Sequence, residues 1–376
     1  MGAPYRGAAG ILAIGLPATA ITTYGGSIAA SHILHVEGFG EGQSTTSYDR
    51  RTLASGAEDG LGIDSLQYAK SVSFSGPICD LSFPILWALA LGKDTIGSAL
   101  GTTCYPHACT PIGLSEELPQ VSLHFKQTSI ADTSSVGSIL YNGCILDSLS
   151  VTGAAGGIWR YTATFLTSGL GGAITTDFST ITKKPNFLPF RFGGTQCQYG
   201  TGTPSALTSD GGIQSTAQTV TGFGTMIDVA TILREQTFSV NNNCTNIYTA
   251  GDTTGAATVT VRGTRTTSVT SRFIFDNTGS ASLWPRSWVT YAPVAGGALS
   301  HSITTRCVSN SAAGTSYNYG FQIQIPKATA TSVDVDKTLG QRELSVTHTV
   351  VNPNNALGAT SIAARGWNVD SQQYTP

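Results

Sequence analysis

Short runs in which apolar and polar residues alternate recur along this chain. Val121-Ser-Leu-His-Phe-Lys126 alternates, as do Arg160-Tyr-Thr-Ala-Thr-Phe-Leu166, Ala257-Thr-Val-Thr-Val-Arg262, Phe321-Gln-Ile-Gln-Ile325 and Ser345-Val-Thr-His-Thr-Val350. A period of two puts successive side chains on opposite sides of a strand. Each run therefore predicts a strand with one face in a core and the other toward solvent or a partner. Clusters of Gly, Ser, Asn and Asp separate the runs, as turns require. Gly153-Ala-Ala-Gly-Gly157 reads as a turn between strands at 144–152 and 157–167, and Pro326 as the end of the strand before it. One segment breaks the period: Asp80 to Gly92 (DLSFPILWALALG) is rich in good helix formers. Asp80 or Ser82 suits its cap, Pro84 its first turn and Gly92 its end. It is apolar nearly all round, which predicts burial. The expected fold class is mainly β, with β-sandwich or barrel domains and one short buried helix near 80–92.

The two halves share an outline. The first has an expected strand pair at 139–151 and 157–167, the second at 319–326 and 342–351. A Tyr-Asn start (Tyr141, Tyr317) opens each pair, and a Gly-containing turn (Gly156-Gly157, Leu339-Gly340) divides it. Alternating segments at 119–127 and 257–265 lie upstream. The pattern suggests a duplication, with domains at 1–189 and 190–376. Their boundary falls within 183–212, where the chain turns rich in Pro, Gly and Thr.

Charge changes the picture more than length does. The 376 residues carry 20 Lys+Arg and 22 Asp+Glu, so only 11% are charged, against about 25% in an average soluble domain. A large chain with so few charges is easier to keep soluble when neighbours cover much of its surface. No basic run is present to displace counterions from phosphates, which argues against a tight grip on nucleic acid. No stretch reaches the roughly 18–20 apolar residues of a membrane helix. Gly10 to Thr23 faintly imitates a signal peptide, but the favoured expectation is an N-terminal strand or arm.

Candidate chemistry is sparse. The seven cysteines are odd in number and irregular in spacing, which fits isolated thiols better than a disulfide framework. Cys104 and Cys109 are near enough in sequence to pair, and that alternative stays open. With His107, and with Cys79 or His124, they make the one candidate metal cluster, but a second close pair is missing. His124 and His348 fall in alternating strands and read as partly exposed strand histidines. Gly38-Phe-Gly-Glu-Gly42 lacks the following Lys-Ser/Thr of a phosphate loop and reads as a loop tip. Asn243-Cys-Thr245 fits the glycosylation triplet, which is common by chance. The expectation is no catalytic residue, no cofactor and no metal, hence not an enzyme.

From Asp80 to Thr167, five elements come in an order that resembles the tail tube proteins of siphophages, the long-tailed bacterial viruses. They are a hydrophobic helix ending in Leu-Gly (Leu86-Trp-Ala-Leu-Ala-Leu-Gly92), a loop element (His107-Ala-Cys-Thr-Pro111) and a Leu-Pro strand entry (Leu118-Pro-Gln-Val-Ser-Leu-His-Phe125). A Tyr-x-Gly-Cys strand (Leu140-Tyr-Asn-Gly-Cys144, continuing to Val151) and a turn into a Thr-rich strand (Gly157-Ile-Trp-Arg-Tyr-Thr-Ala-Thr-Phe165) complete them. Phe321-Gln-Ile-Gln-Ile-Pro-Lys327 and Arg342 to Val350 are similar to the closing strand pair of such domains. The close likeness covers about a quarter of the chain.

The resemblance implies a structural virion protein of the tail, made in the host cytoplasm. Its domains would join in rings, either three chains with pseudo-sixfold symmetry or six chains. Stacked rings would form a channel through which DNA passes without specific binding, and a lumen with more Asp/Glu than Lys/Arg would favour passage. Other tail proteins (tape measure, terminator, tail tip) would be partners, and no membrane is involved. A long polar loop from Gly38 to Gly62 is the candidate inter-ring arm, with Glu41, Asp49, Arg50, Arg51, Glu58 and Asp59. Two alternatives remain at this stage: another virion component, such as a jelly-roll capsid or decoration protein, and a secreted β-rich binding protein.

Overall fold

The computed structural model describes residues 10–17, 24–41, 45–51, 62–113, 116–127, 138–169, 171–186, 189–200, 226–249, 256–274, 300–315, 317–335, 343–351 and 360–376. The fold is mainly β, with a single α-helix among these residues. Ten strands follow one another by antiparallel pairing. They run Gly62–Pro77, Arg160–Thr167, Ser138–Ala154, Leu233–Asn241, Thr266–Ile274, Glu343–Val350, Tyr317–Val335, Ser300–Gly314, Thr195–Gly200 and Met226–Asp228. Two branches leave this path. Val121–Lys126, Ile11–Gly15 and His32–Leu34 continue from the start of Ser138–Ala154. Ala363–Asn368, Tyr105–Pro111 and Gly92–Ile96 continue from the first half of Tyr317–Val335.

The path folds back on itself. Tyr199 on one side meets Ser271 on the other, hydroxyl to hydroxyl at 2.7 Å, and Thr305 donates to the Gln236 amide oxygen at 2.8 Å. Strand alternation places Phe238, Val269, Phe273, Val346 and Phe321 inside the resulting sandwich.

The helix Ser82–Leu91 plugs the core, with every one of its residues buried. Phe83 stacks on Phe321 with ring centroids 4.5 Å apart. Neither proposed side chain caps its start. The cap position is Leu81, while Asp80 accepts from the Asn186 N–H at 3.0 Å and the Ser82 hydroxyl accepts from the Cys79 N–H at 2.8 Å. The end is as expected: Gly92 adopts φ 100° and returns its N–H to the Ala88 carbonyl. A side chain there would also collide with Ile112, 2.7 Å from the would-be Cβ. Arg265 and Asn242 bind the last carbonyls, those of Leu91 at 2.9 Å and Ala90 at 3.1 Å, which the helix itself leaves open.

The strands at 121–126, 160–166 and 345–350 stand where alternation puts them. Ile11–Gly15, the N-terminal strand, is largely buried. Three expectations are corrected. Pro326 does not end its strand. It lies where the neighbour changes from Ala363–Asn368 to Glu343–Val350, opposite a register shift between His301 and Ile303, so its missing N–H breaks no ladder. The partner of 343–350 is 328–335, not 319–326, and residues 320–324 pair instead with Ala363–Asn368, a strand too short and Gly-interrupted to announce itself. Segments 119–127 and 257–265 are not counterparts. Val121–Lys126 lies in the main sheet, whereas Val259–Val261 pairs only with Thr245–Ile247 in a separate two-stranded ribbon.

Pairing also crosses the expected domain boundary. Ser138–Ala154 bonds directly to Leu233–Asn241, and Tyr105–Pro111 to Ala363–Asn368. One hydrophobic cluster holds Leu12, Trp87 and Phe165 together with Phe238, Phe321 and Trp367. Among the described residues, the halves do not separate into two sheets or two cores.

Candidate assembly surface

The side chains singled out for chemistry do not converge. Among the described residues, no three His, Cys, Asp or Glu side chains gather as a metal site would require. All seven cysteines are free thiols, Cys104 and Cys109 included, and six are buried. Burial pushes each thiol above its ordinary range, Cys104 to about 11 and Cys79 to about 12. None is thereby poised as a thiolate nucleophile. His124 and His348 are buried, not partly exposed. His124 lies on a strand buried on both faces, and His348 shares the core face of its strand with Leu344 and Val346. His124 donates to the Ile28 carbonyl at 2.8 Å, and His348 meets His301, ring nitrogen to ring nitrogen, at 3.0 Å.

A buried polar clasp holds the segment after Ala363–Asn368. Asp370 binds the His32 ring at 2.8 Å through one oxygen and the Lys183 ammonium through the other. Burial opposes its ionisation, but the His32 and Lys183 hydrogen bonds win and hold its carboxyl well below the usual range. His107 faces two acceptors, the Asp94 carboxylate at 3.0 Å and the Asp370 carbonyl at 2.9 Å. Both ring nitrogens of His107 can be satisfied only if a proton sits between His107 and Asp94. Tyr374 stacks on His107 at 4.3 Å and donates its N–H to Asp94 at 3.0 Å. His32 and Asp370 lie 338 residues apart, so no local spacing signals the clasp.

The predicted arm is not a loop. Gly38–Glu41 pairs with Gly62–Pro77, with Glu41 opposite Val72. Thr45–Arg51 pairs with the same long strand, bringing Asp49 opposite Asp64, Arg50 opposite Ile63 and Arg51 opposite Gly62. Glu58 and Asp59 lie outside the described residues. Thr45-Thr-Ser-Tyr favours extended backbone, and the 16-residue strand Gly62–Pro77 offers it a full ladder. Arg160–Thr167 pairs only with 70–77, so among the described residues the half 62–69 has a single neighbour, Thr45–Arg51. This half is a two-stranded ribbon running on past the sheet.

The second surface is the face of the sheet turned away from the core. Ser75, Thr162, Ser150, Ser239, Ser268, Thr349, Thr329 and Ser300 stand side by side in register, one on each of eight neighbouring strands. A second row runs Thr152, Thr237, Thr270, Thr347 and Ser332. Neighbours within the rows satisfy one another: Thr152 with Thr237 at 3.0 Å, Thr270 with Thr347 at 3.1 Å and Ser300 with Thr329 at 3.2 Å. The arginines near this face are paired: Arg160 with Glu37, Arg234 with Glu343, and Arg272 with Glu235 and Glu343. Alternation predicted that some outer face would be polar. It did not predict that hydroxyls would meet hydroxyls across so many strands, because register is a tertiary property.

No family model and no curated protein matches this chain.

Proposed function

We propose that this chain is a structural subunit that joins copies of itself in stacked rings, forming the tail tube of a long-tailed bacterial virus and the channel through which its DNA leaves. The observation that carries this reading is the ribbon of Thr45–Arg51 with 62–69, paired to nothing else among the described residues. A lone two-stranded ribbon is marginal in water. Contact with a neighbouring copy would stabilise it, and a contact that repeats without closing builds a tube.

The hydroxyl face supports the channel half of the reading. Duplex DNA is held by unpaired Lys and Arg, and the arginines near this face are each engaged by a glutamate. Short hydroxyl side chains present a smooth, weakly adhesive wall.

Electron microscopy of the purified protein tests the proposal. Rings or stacked tubes are expected, with threefold or sixfold symmetry, and deletion of residues 45–69 should leave unstacked particles. Closed shells would favour a capsid or decoration protein instead. A monomer at every concentration would overturn the assembly reading.

A further inference from the structure

A row of polar donors, buried at its inner end, crosses the sheet on the opposite branch. Gln196, Arg306, Gln322 and Arg365 are neighbours in register on Thr195–Gly200, Ser300–Gly314, Tyr317–Val335 and Ala363–Asn368. Thr304 stands beside them, paired with Gln324. The alternate residues Thr305, Cys307, Phe321 and Ile323 are buried, and the last three belong to the main core, so the row lies on the other face. Thr304 is 0% exposed and Gln322 2% exposed, yet the Thr304 hydroxyl, the Gln322 amide nitrogen and the Arg306 Nε all lack a hydrogen-bond partner. The ion pairs of the described residues do not include Arg306.

Nearly every buried polar group in a native protein is paired, so three open groups side by side call for an acceptor. Water supplies acceptors but no charge. Arg306 is a half-buried guanidinium with no counter-charge of its own, and leaving a cation so placed is costly. Thr304 with Arg306, and Gln322 with Gln324, occupy adjacent strands about 4.8 Å apart, within the span of one oxyanion and its lone pairs. Arginine is the side chain best shaped to bind such a group. At one end of the row Arg306 is only half-buried and Gln196 beside it is exposed.

We propose that Thr304, Arg306 and Gln322 bind an oxyanion. The chemistry fits free phosphate or a carboxylate brought by a second copy of the chain.

The test is the thermal melting of the full chain as inorganic phosphate replaces chloride at constant ionic strength. A free-anion site gives a saturable rise of roughly 2 °C or more that Arg306→Gln abolishes. A carboxylate from a second copy gives no such rise, but self-association measured by sedimentation then weakens at least tenfold in Arg306→Gln. Either way, Arg306→Gln in phosphate-free buffer at low protein concentration should melt no lower than the parent, since it removes an uncompensated charge. The proposal fails if neither phosphate response nor association depends on Arg306, which leaves water as the occupant. It also fails if Arg306→Gln melts lower, which makes the arginine a structural brace. Should that variant not fold, Thr304→Val with Gln322→Leu must remove the same response.

Discussion

The clasp around Asp370 and the row through Arg306 are both buried and polar, yet they are built on opposite terms. In the clasp the chain supplies both sides of nearly every contact: His32 and Lys183 for Asp370, His107 and the Tyr374 N–H for Asp94, with one Asp94 oxygen left open. In the row the Thr304 hydroxyl, the Gln322 amide nitrogen and the Arg306 Nε meet no acceptor among the described residues. Polar groups buried for the protein's own stability are matched within the chain. Donors left open mark a place where something else completes the structure.

Removing Asp370 should therefore have the largest effect. Asp370→Ala leaves His32 and Lys183 facing an empty site, and loss of one partner from a buried charged pair costs about 3–5 kcal/mol. Denaturant unfolding measures it. Asp370 also sets a pH dependence. Its carboxyl is held below the unfolded value of about 3.9, so its contribution is complete above that pH and is lost as pH falls below it. Stability measured between pH 5 and 2 should drop less steeply in Asp370→Asn than in the parent. An equal drop would mean the clasp is not what acid breaks.

The His301–His348 pair should act earlier in the same titration. Burial pushes His301 down to about 4 and, with repulsion from His301, His348 down to about 3. The unfolded chain takes up these protons near pH 6.5 and the folded chain does not. Stability therefore declines as pH falls from about 6.5 toward 4, at about 1.4 kcal/mol per pH unit for each such proton. His348→Gln should flatten the curve from about pH 6.5 down to about pH 3 and leave the part below that unchanged. Acid thus separates a region closed by charge pairing from one closed by keeping two imidazoles neutral.

How far these regions could be read in the sequence follows from what each depends on. Strand periodicity is local, so Val121–Lys126, Arg160–Thr167 and Glu343–Val350 stand where alternation put them. The helix was equally plain, because Ser82–Leu91 is apolar throughout and closed by Gly92. Which strand pairs with which is not local: Leu344 finds Val335 but Phe321 finds Gly366. The clasp and the row inherit that difficulty, since each joins residues from distant strands. The arm was located by its polarity and misread as a loop, because its ladder partner lies on the far side of residues 52–61.

The smallest effect on stability, with the clearest consequence for function, is expected on the hydroxyl face. Ser239 and Thr270 stand in neighbouring rows, partly exposed, away from the clasp and the open row. Substituting lysine for both should change stability by roughly 0.5 kcal/mol or less each, as for ordinary surface positions. The Thr270–Thr347 hydroxyl contact is the one bond between paired neighbours that it removes. If assembled tubes carry this face toward their channel, two unpaired ammonium groups per chain would repeat around every ring and along the stack. Duplex DNA would then be retained in a salt-dependent way, with binding falling linearly in log K against log salt. Parent tubes should retain none under the same conditions. Retention by the parent, or none by the variant despite intact tubes, would take the hydroxyl face out of the channel and leave it on the outside of the assembly. Among the described residues, the row at Arg306 would then be the surface built to hold an anion, and the contrast between its open donors and the self-satisfied hydroxyls would describe two kinds of exterior.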